Sequence, residues 1–157
     1  MRKRIISPDQ QETASLDLEW LNIEGIAEVE ITSEDAAHPI ESALLPGRSG
    51  WRAADPGKQT IRLIFDSPQK IQRIWINFIE PSTERTQEYV LRWSPDGGQS
   101  FREIVRQQWN FSPRGASSET EDLHVDLPAV TELELIIIPD ISGGNAFATL
   151  AQLRLSE

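Results

Sequence analysis

Hydrophobic and polar residues alternate through most of this chain, a period of two that is typical of β-strands with one buried face. In the clearest case Tyr89, Leu91 and Trp93 fall on one face of an extended segment. The same criterion predicts strands over residues 28–32, 60–65, 71–79, 87–94, 101–108, 122–127, 132–138 and 149–155. Residues 16–21 also alternate, and they are predicted to form a first, edge strand.

A tight turn is predicted between the fourth and fifth of these strands. Pro95 presets its φ angle, Asp96 can accept hydrogen bonds from nearby backbone, and Gly97 or Gly98 can adopt positive φ. The predicted product is a β-hairpin that sets the register of two core strands. We interpret this turn as structural.

Further turn signals separate the remaining strands, and the predicted fold class is therefore all-β. Proline, glycine, aspartate and serine cluster at residues 66–68, 80–83, 112–115 and 139–145, with Pro128 as a further break. Residues 40–45 could form one helical turn before Pro46 and Gly47, and no helical pattern reaches ten residues. Many short strands at this spacing predict an antiparallel sandwich or barrel.

The length predicts one domain. A chain of 157 residues can bury about two-thirds of the surface that its unfolded form exposes. Residues 1–15 are polar and are expected to form a flexible N-terminal arm, so the domain is assigned to residues 16–157. No cysteine is present, and polar residues from Ser7 onward interrupt any signal-like apolar run after the basic start. We expect a cytoplasmic protein.

The charge balance limits the kinds of partner. Fifteen basic and 25 acidic residues give a net charge of −10. A negative surface repels phosphate backbones and anionic lipid head groups, so neither nucleic acid nor a membrane is expected as a partner.

Several segments together resemble discoidin domains, also called coagulation-factor C-type domains. They are Gly50-Trp51 in a loop, the strands at 60–65 and 71–76, the hairpin at 89–101 and the closing segment 148–155. The likeness covers about residues 27–155. It implies the galactose-binding-like jelly roll, an antiparallel β-sandwich.

The resemblance implies a non-catalytic recognition domain. Members bind sugars, phospholipid head groups or proteins through loops at one end of the sandwich. Many also hold a structural calcium through an Asp-Gly before the loop tryptophan and a glutamate near the C-terminus. Here the early loop, residues 45–51, has no aspartate, and Gln152 stands at the late position. Calcium needs several oxygen ligands, preferably charged ones, so this departure disfavours it, and no cofactor is expected.

Candidate ligand-binding residues come from two sources. The resemblance implies that Arg52, Arg85, Asn145 and Phe147 occupy ligand-binding loops. Trp109 is chosen for its own surroundings, because an aromatic ring among amide and guanidinium groups suits a sugar. Structural capping of the sandwich competes for Trp109, and ion pairing with nearby glutamates competes for the arginines.

Material for catalysis is sparse. His38 precedes a proline in a loop. His124 shares one strand face with Asp122 and Asp126, which would be the best candidate site for an enzyme. A solvated strand face explains the same pattern, and we expect no enzymatic activity.

The sequence therefore predicts a binding module for carbohydrate or another small polar ligand. The alternative is a protein-interaction or assembly domain without a sugar ligand, which the expected cytoplasmic location favours.

Overall fold

The computed structural model describes residues 20–157. The predicted N-terminal arm lies outside the described residues. So does the predicted strand at 16–21, except for Trp20 and Leu21, which are not in a strand. The division of the chain into arm and domain stays a prediction.

The described chain is mostly β-strand, with two single-turn helices. In chain order the elements are α1 (Ile23–Ile26), β1 (Ala27–Ile31), α2 (Glu41–Leu44), β2 (Trp51–Arg52), β3 (Gln59–Ile79), β4 (Arg85–Ser94), β5 (Arg102–Phe111), β6 (Ser118–Ile138), β7 (Thr149–Leu150) and β8 (Gln152–Ser156). The predicted helical turn is confirmed as α2. Within residues 20–157 no helix has the length and apolar character needed to cross a bilayer.

Two long antiparallel strands, β3 and β6, organise the sandwich. The first half of β3 pairs with the second half of β6, and these halves continue outward to β1 on one side and to β4 and β5 on the other. The second half of β3 pairs with the first half of β6 and with β8. All pairings are antiparallel, so the predicted all-β class is confirmed.

The continuity of β3 and β6 corrects the prediction of shorter strands. Residues 66–68 and Pro128 were predicted as turns, but both lie inside strands at register shifts. A β-bulge absorbs extra residues and bends a strand without ending it, and it tolerates a proline that cannot donate to the ladder. The ribbon therefore passes from one layer to the other through these bulges.

The last predicted strand, by contrast, is divided at Ala151. Residues 149–150 pair with β2, whereas residues 152–156 pair with β3. The alternating segment is therefore two strands, β7 and β8, because its two parts pair with strands of different sheets.

The core lies between the two layers and follows the predicted alternation. On β4, Tyr89, Leu91 and Trp93 are buried. Apolar residues of both halves of the long ribbon join them in one cluster with the loop anchor Trp51. The hairpin turn is fixed locally, because Asp96 accepts from the Ser94 hydroxyl at 2.7 Å and from the Ser100 hydroxyl at 2.6 Å. These bonds hold the pKa of Asp96 at about 2.

Candidate functional site

A pocket of about 350 Å³ opens at one end of the sandwich. It lies where the β3–β4 loop, the β6–β7 loop and the end of β2 meet. Its lining residues are Arg52, Glu80, Ser82, Thr83, Asp140, Asn145, Ala146 and Phe147. This volume lies near the lower end of the range for small-molecule sites.

The short strand β2 positions Arg52. Its neighbour Trp51 is buried, and the Trp51 indole N–H donates to the Ser33 carbonyl at 3.1 Å. Successive side chains of a strand point to opposite faces, so burial of Trp51 turns Arg52 toward solvent. Pairing of Arg52 with Thr149 then brings the guanidinium next to the β6–β7 loop.

Gly50 allows this arrangement. Its φ angle is +100°, and an added Cβ would lie 2.8 Å from the Leu150 carbonyl oxygen. Only glycine fits so close to another backbone at this φ. The chain can therefore enter β2 directly beside β7.

Phe147 supplies the aromatic surface of the pocket. It precedes the fully buried Ala148, which anchors the end of the β6–β7 loop. The Arg52 guanidinium carbon lies 4.9 Å from the centre of the Phe147 ring. This cation–π contact joins two of the predicted site residues that are 95 positions apart (147 − 52) in sequence.

Two carboxylates complete the polar lining. Asp140 accepts from the Ser142 hydroxyl at 2.7 Å and from the Ser142 backbone N–H at 3.1 Å, and these bonds lower the pKa of Asp140 from its ordinary value. Glu80 accepts from Arg85 Nε at 2.8 Å. The carboxylate acceptors of Glu80 and Asp140 thus line the same pocket as the side-chain donors of Arg52 and Asn145.

Arg85 lies behind this lining. Its side chain is fully buried, and Nη1 donates to the Pro139 carbonyl at 2.7 Å. The guanidinium carbon also lies 4.8 Å from the centre of the Phe111 ring. Arg85 therefore supports the two loops that carry Glu80 and Asp140, and it does not line the pocket.

Trp109 also lies outside the pocket lining. It is inside β5, opposite Gln87, and it is partly buried against the core. Its indole N–H is buried without a hydrogen-bond partner among the described residues. The structure therefore brings together Arg52, Asn145 and Phe147, and leaves Arg85 and Trp109 in supporting or packing positions.

Sequence reasoning missed Glu80 and Asp140 as lining residues. Both occur in predicted turns, and each precedes a serine by two positions, Ser82 and Ser142. An acidic side chain that accepts from the residue two positions on is a local turn device. That signal predicts a turn, but it does not tell which turns share one pocket.

Each of the two histidines lies beside one aspartate. His38 Nδ1 lies 3.0 Å from Asp35 Oδ2 in an exposed loop. His124 is 75% exposed, and the nearby Asp122 is held by Arg73 at 2.9 Å. The exposure and contacts of His124 fit the solvated strand face that competes with a catalytic site.

Calcium was considered at the early loop and the start of β8. Among residues 20–157 no three His, Asp or Glu side chains lie close enough together to hold a metal. A Cβ added at Gly50 would lie 3.0 Å from the Ala151 Cα, so the early loop and the start of β8 are adjacent. The two carboxylates that the resemblance implies for calcium are not present at these positions, because residues 45–51 include no aspartate and residue 152 is the neutral Gln152.

Solved structures with the same fold include carbohydrate-binding modules of family 32. The module of NanJ from Clostridium perfringens, solved with galactose, is 18% identical, with a TM-score of 0.63 over 89% of this chain and 100% of that chain. CpGH89CBM32-5 from the same organism, solved with GalNAc-β-1,3-galactose, is 21% identical, with a TM-score of 0.60 over 87% and 99%. The family 32 module of AlyQ, solved with 4,5-unsaturated mannuronic acid, is 14% identical, with a TM-score of 0.59 over 83% and 94%.

These likenesses establish the fold. The predicted galactose-binding-like β-sandwich is confirmed. No protein-family model and no curated protein matches the sequence.

Proposed function

We propose that this chain is a non-catalytic module that binds carbohydrate in the pocket of Arg52, Glu80, Asp140, Asn145 and Phe147. The observation that carries the proposal is the meeting of Arg52, Asn145 and Phe147 in one pocket. Arg52 was selected from one segment of the sequence, and Asn145 and Phe147 were selected from a second segment far from it. The sugar complexes of structures with the same fold support the same class of ligand.

The chemistry of the pocket suits a sugar. A pyranose offers hydroxyl groups that both donate and accept, together with patches of C–H groups. Phe147 provides an apolar face, Arg52 and Asn145 provide donors, and the carboxylates of Glu80 and Asp140 accept. Catalysis is not part of the proposal, because the pocket holds no histidine and Glu80 is already bonded to Arg85.

Calorimetry with galactose, GalNAc and galacturonate tests the proposal. We expect at least one of these sugars to bind in the millimolar range or tighter. Phe147→Ala and Asn145→Ala should each weaken that binding by about tenfold, since each removes about one stacking or hydrogen-bonding contribution. Arg114→Ala, in an exposed loop outside the pocket, is the matched control.

Absence of binding by all three sugars at about 50 mM would contradict the proposal. Binding that Phe147→Ala and Asn145→Ala leave unchanged would place the ligand elsewhere and would contradict the assigned site.

We further propose that the protein acts in the cytoplasm, supported by the absence of cysteine. Fractionation of the cells that produce it, followed by immunodetection, tests this location, and recovery from a secreted fraction would contradict it.

A further inference from the structure

A second groove, of about 320 Å³, lies between strand β1 and helix α2. Its apolar lining is Ala27, Val29, Ile31, Ile40, Leu44 and Leu45. None of these residues lines the sugar pocket. The groove is therefore a separate surface, and its role does not depend on the proposed carbohydrate site.

The open edge of β1 borders this groove. β1 is the outer strand of its sheet and pairs only with β3 among the described strands. The Thr32 N–H donates to the Thr60 carbonyl at 3.1 Å, and hydrogen-bonded pairs alternate along an antiparallel ladder. By that alternation, the N–H and C=O groups of Val29 and Ile31 point away from β3, toward the open side.

An open strand edge is a template for a further strand. Extended peptides add to such edges in β-augmentation, where backbone hydrogen bonds supply affinity and pockets for alternate side chains supply specificity. The side chains of Val29 and Ile31 line the groove, whereas Glu28 on the opposite face of β1 is exposed. An added strand would therefore place alternate residues in the apolar groove and beside Glu28.

The charges around the groove select the partner. Glu24, Glu34 and Glu41 line it together with the apolar residues, and no lysine or arginine does. Within residues 20–157 none of these three carboxylates forms an ion pair. Glu34 accepts one hydrogen bond, from the Ile40 N–H at 2.9 Å.

A second copy of the chain is a poor occupant of this surface. Pairing two β1 edges would bring the same acidic groups against each other, and like charges across adjacent strands destabilise a sheet. A cationic strand would instead neutralise them.

We propose that the groove and the β1 edge bind an extended segment of a partner protein in which branched apolar residues alternate with lysine or arginine. The segment adds to β1 as an antiparallel or parallel strand. Its apolar side chains fill the groove, and its cations lie beside Glu28. These cations are also attracted, at longer range and in low salt, by Glu24, Glu34 and Glu41, which form the acidic rim of the groove.

The test uses a capped octapeptide of alternating lysine and isoleucine, titrated at about 50 mM salt and followed by NMR. We expect saturable binding with a dissociation constant below about 100 μM and the largest shifts at the Val29 and Ile31 amides. Two matched peptides test separately the roles of charge and of backbone hydrogen bonds. One has glutamate in place of lysine, and the other is N-methylated at every second residue. Neither should bind, because the first reverses the charge and the second removes the backbone donors while keeping the charge.

Variants of the protein test the acidic rim. The double variant Glu24→Gln/Glu41→Gln should weaken binding of the lysine peptide by about tenfold, since surface pairs contribute modestly and are screened by salt. Glu103→Gln, on β5 at the far side of the sheet, should leave it unchanged.

Several outcomes would overturn the proposal. They are absence of binding, equal binding of the N-methylated peptide, largest shifts on β5 or in the sugar pocket, and self-association of the chain through β1. Removal of residues 2–6, which contain three cations and two isoleucines, should not change the affinity. Tighter peptide binding after that removal would identify the chain's own basic segment as the occupant and would refute an external partner.

Discussion

Arg85 and Glu80 form an ion pair at the wall of the candidate pocket, with Arg85 Nε 2.8 Å from Glu80 Oε1. The Arg85 side chain is fully buried and that of Glu80 is 13% exposed. The same guanidinium donates to the Pro139 carbonyl, the residue before Asp140. One buried cation therefore connects the two loops that provide the pocket's carboxylates.

Replacement of Arg85 tests this connection. Arg85→Met should lower the free energy of unfolding by about 3 kcal/mol, because it leaves Glu80 and the Pro139 carbonyl without their buried donor. Urea denaturation measures the change. The double variant Arg85→Met/Glu80→Met should recover part of the loss, since it removes the unpaired carboxylate as well.

The exposed Arg114→Met variant is the control and should stay within about 0.5 kcal/mol of the parent. A loss below about 1 kcal/mol in Arg85→Met would show that the buried pair does not stabilise the loops.

A pair of glycine variants separates backbone strain from steric contact. Gly47 and Gly50 both have positive φ, at +72° and +100°, but only Gly50 lies against another backbone. Gly50→Ala should lower the free energy of unfolding by about 3 kcal/mol, because backbone strain adds to a clash with the Leu150 carbonyl. Gly47→Ala should lower it by about 1 kcal/mol, from backbone strain alone. Thermal unfolding of both variants measures the difference. Equal losses would mean that the strand entry at β2 can shift without cost.

The buried Glu119 predicts a pH-dependent stability. Burial, and then the neighbouring Glu121 carboxylate, raise the pKa of Glu119 to about 7 from its ordinary value of 4.5. The folded state therefore holds this proton more tightly than the unfolded state does. The resulting stabilisation is complete below about pH 4.5 and is lost as the pH rises to about 7.

Glu119→Gln should remove this dependence, because the amide stays neutral. At about pH 8 the variant should be more stable than the parent by about 2 kcal/mol, and at about pH 4 the two should be similar. Urea unfolding across that range measures it, with the exposed Glu84→Gln as control. A parent-like slope in Glu119→Gln would assign the pH dependence to other groups.

The hairpin between β4 and β5 could be predicted from sequence because its determinants are local. Asp96 bonds to residues only two and four positions away, and Gly97 and Gly98 adopt the positive φ that the turn requires. Alternation likewise predicted the buried face of β4. Such features depend on neighbours in the chain, which the sequence displays directly.

The extent of the strands depended on partners far along the chain. Sequence alternation predicted that β4 begins at Gln87 and that β5 ends at Gln108. In the structure, the pairing of Arg85 with Phe111 makes β4 begin earlier and β5 end later. That extension puts Arg85 and Trp109 on an inward face, although Arg85 was expected in a loop and Trp109 just past the end of a strand. The same long-range pairing kept residues 66–68 and Pro128 inside continuous strands.

The sequence by itself therefore determined the fold class, the hairpin and the apolar faces, since these follow from residue type and short spacing. Only the tertiary structure decided which arginine faces the pocket. Arg52 follows a buried tryptophan and points outward beside Phe147, whereas Arg85 lies in phase with Tyr89 and points into the core. The physical reason is that successive side chains in a strand point to opposite faces. Which face a given residue occupies is therefore known only once pairing with the partner strand has fixed where the strand begins and what its register is.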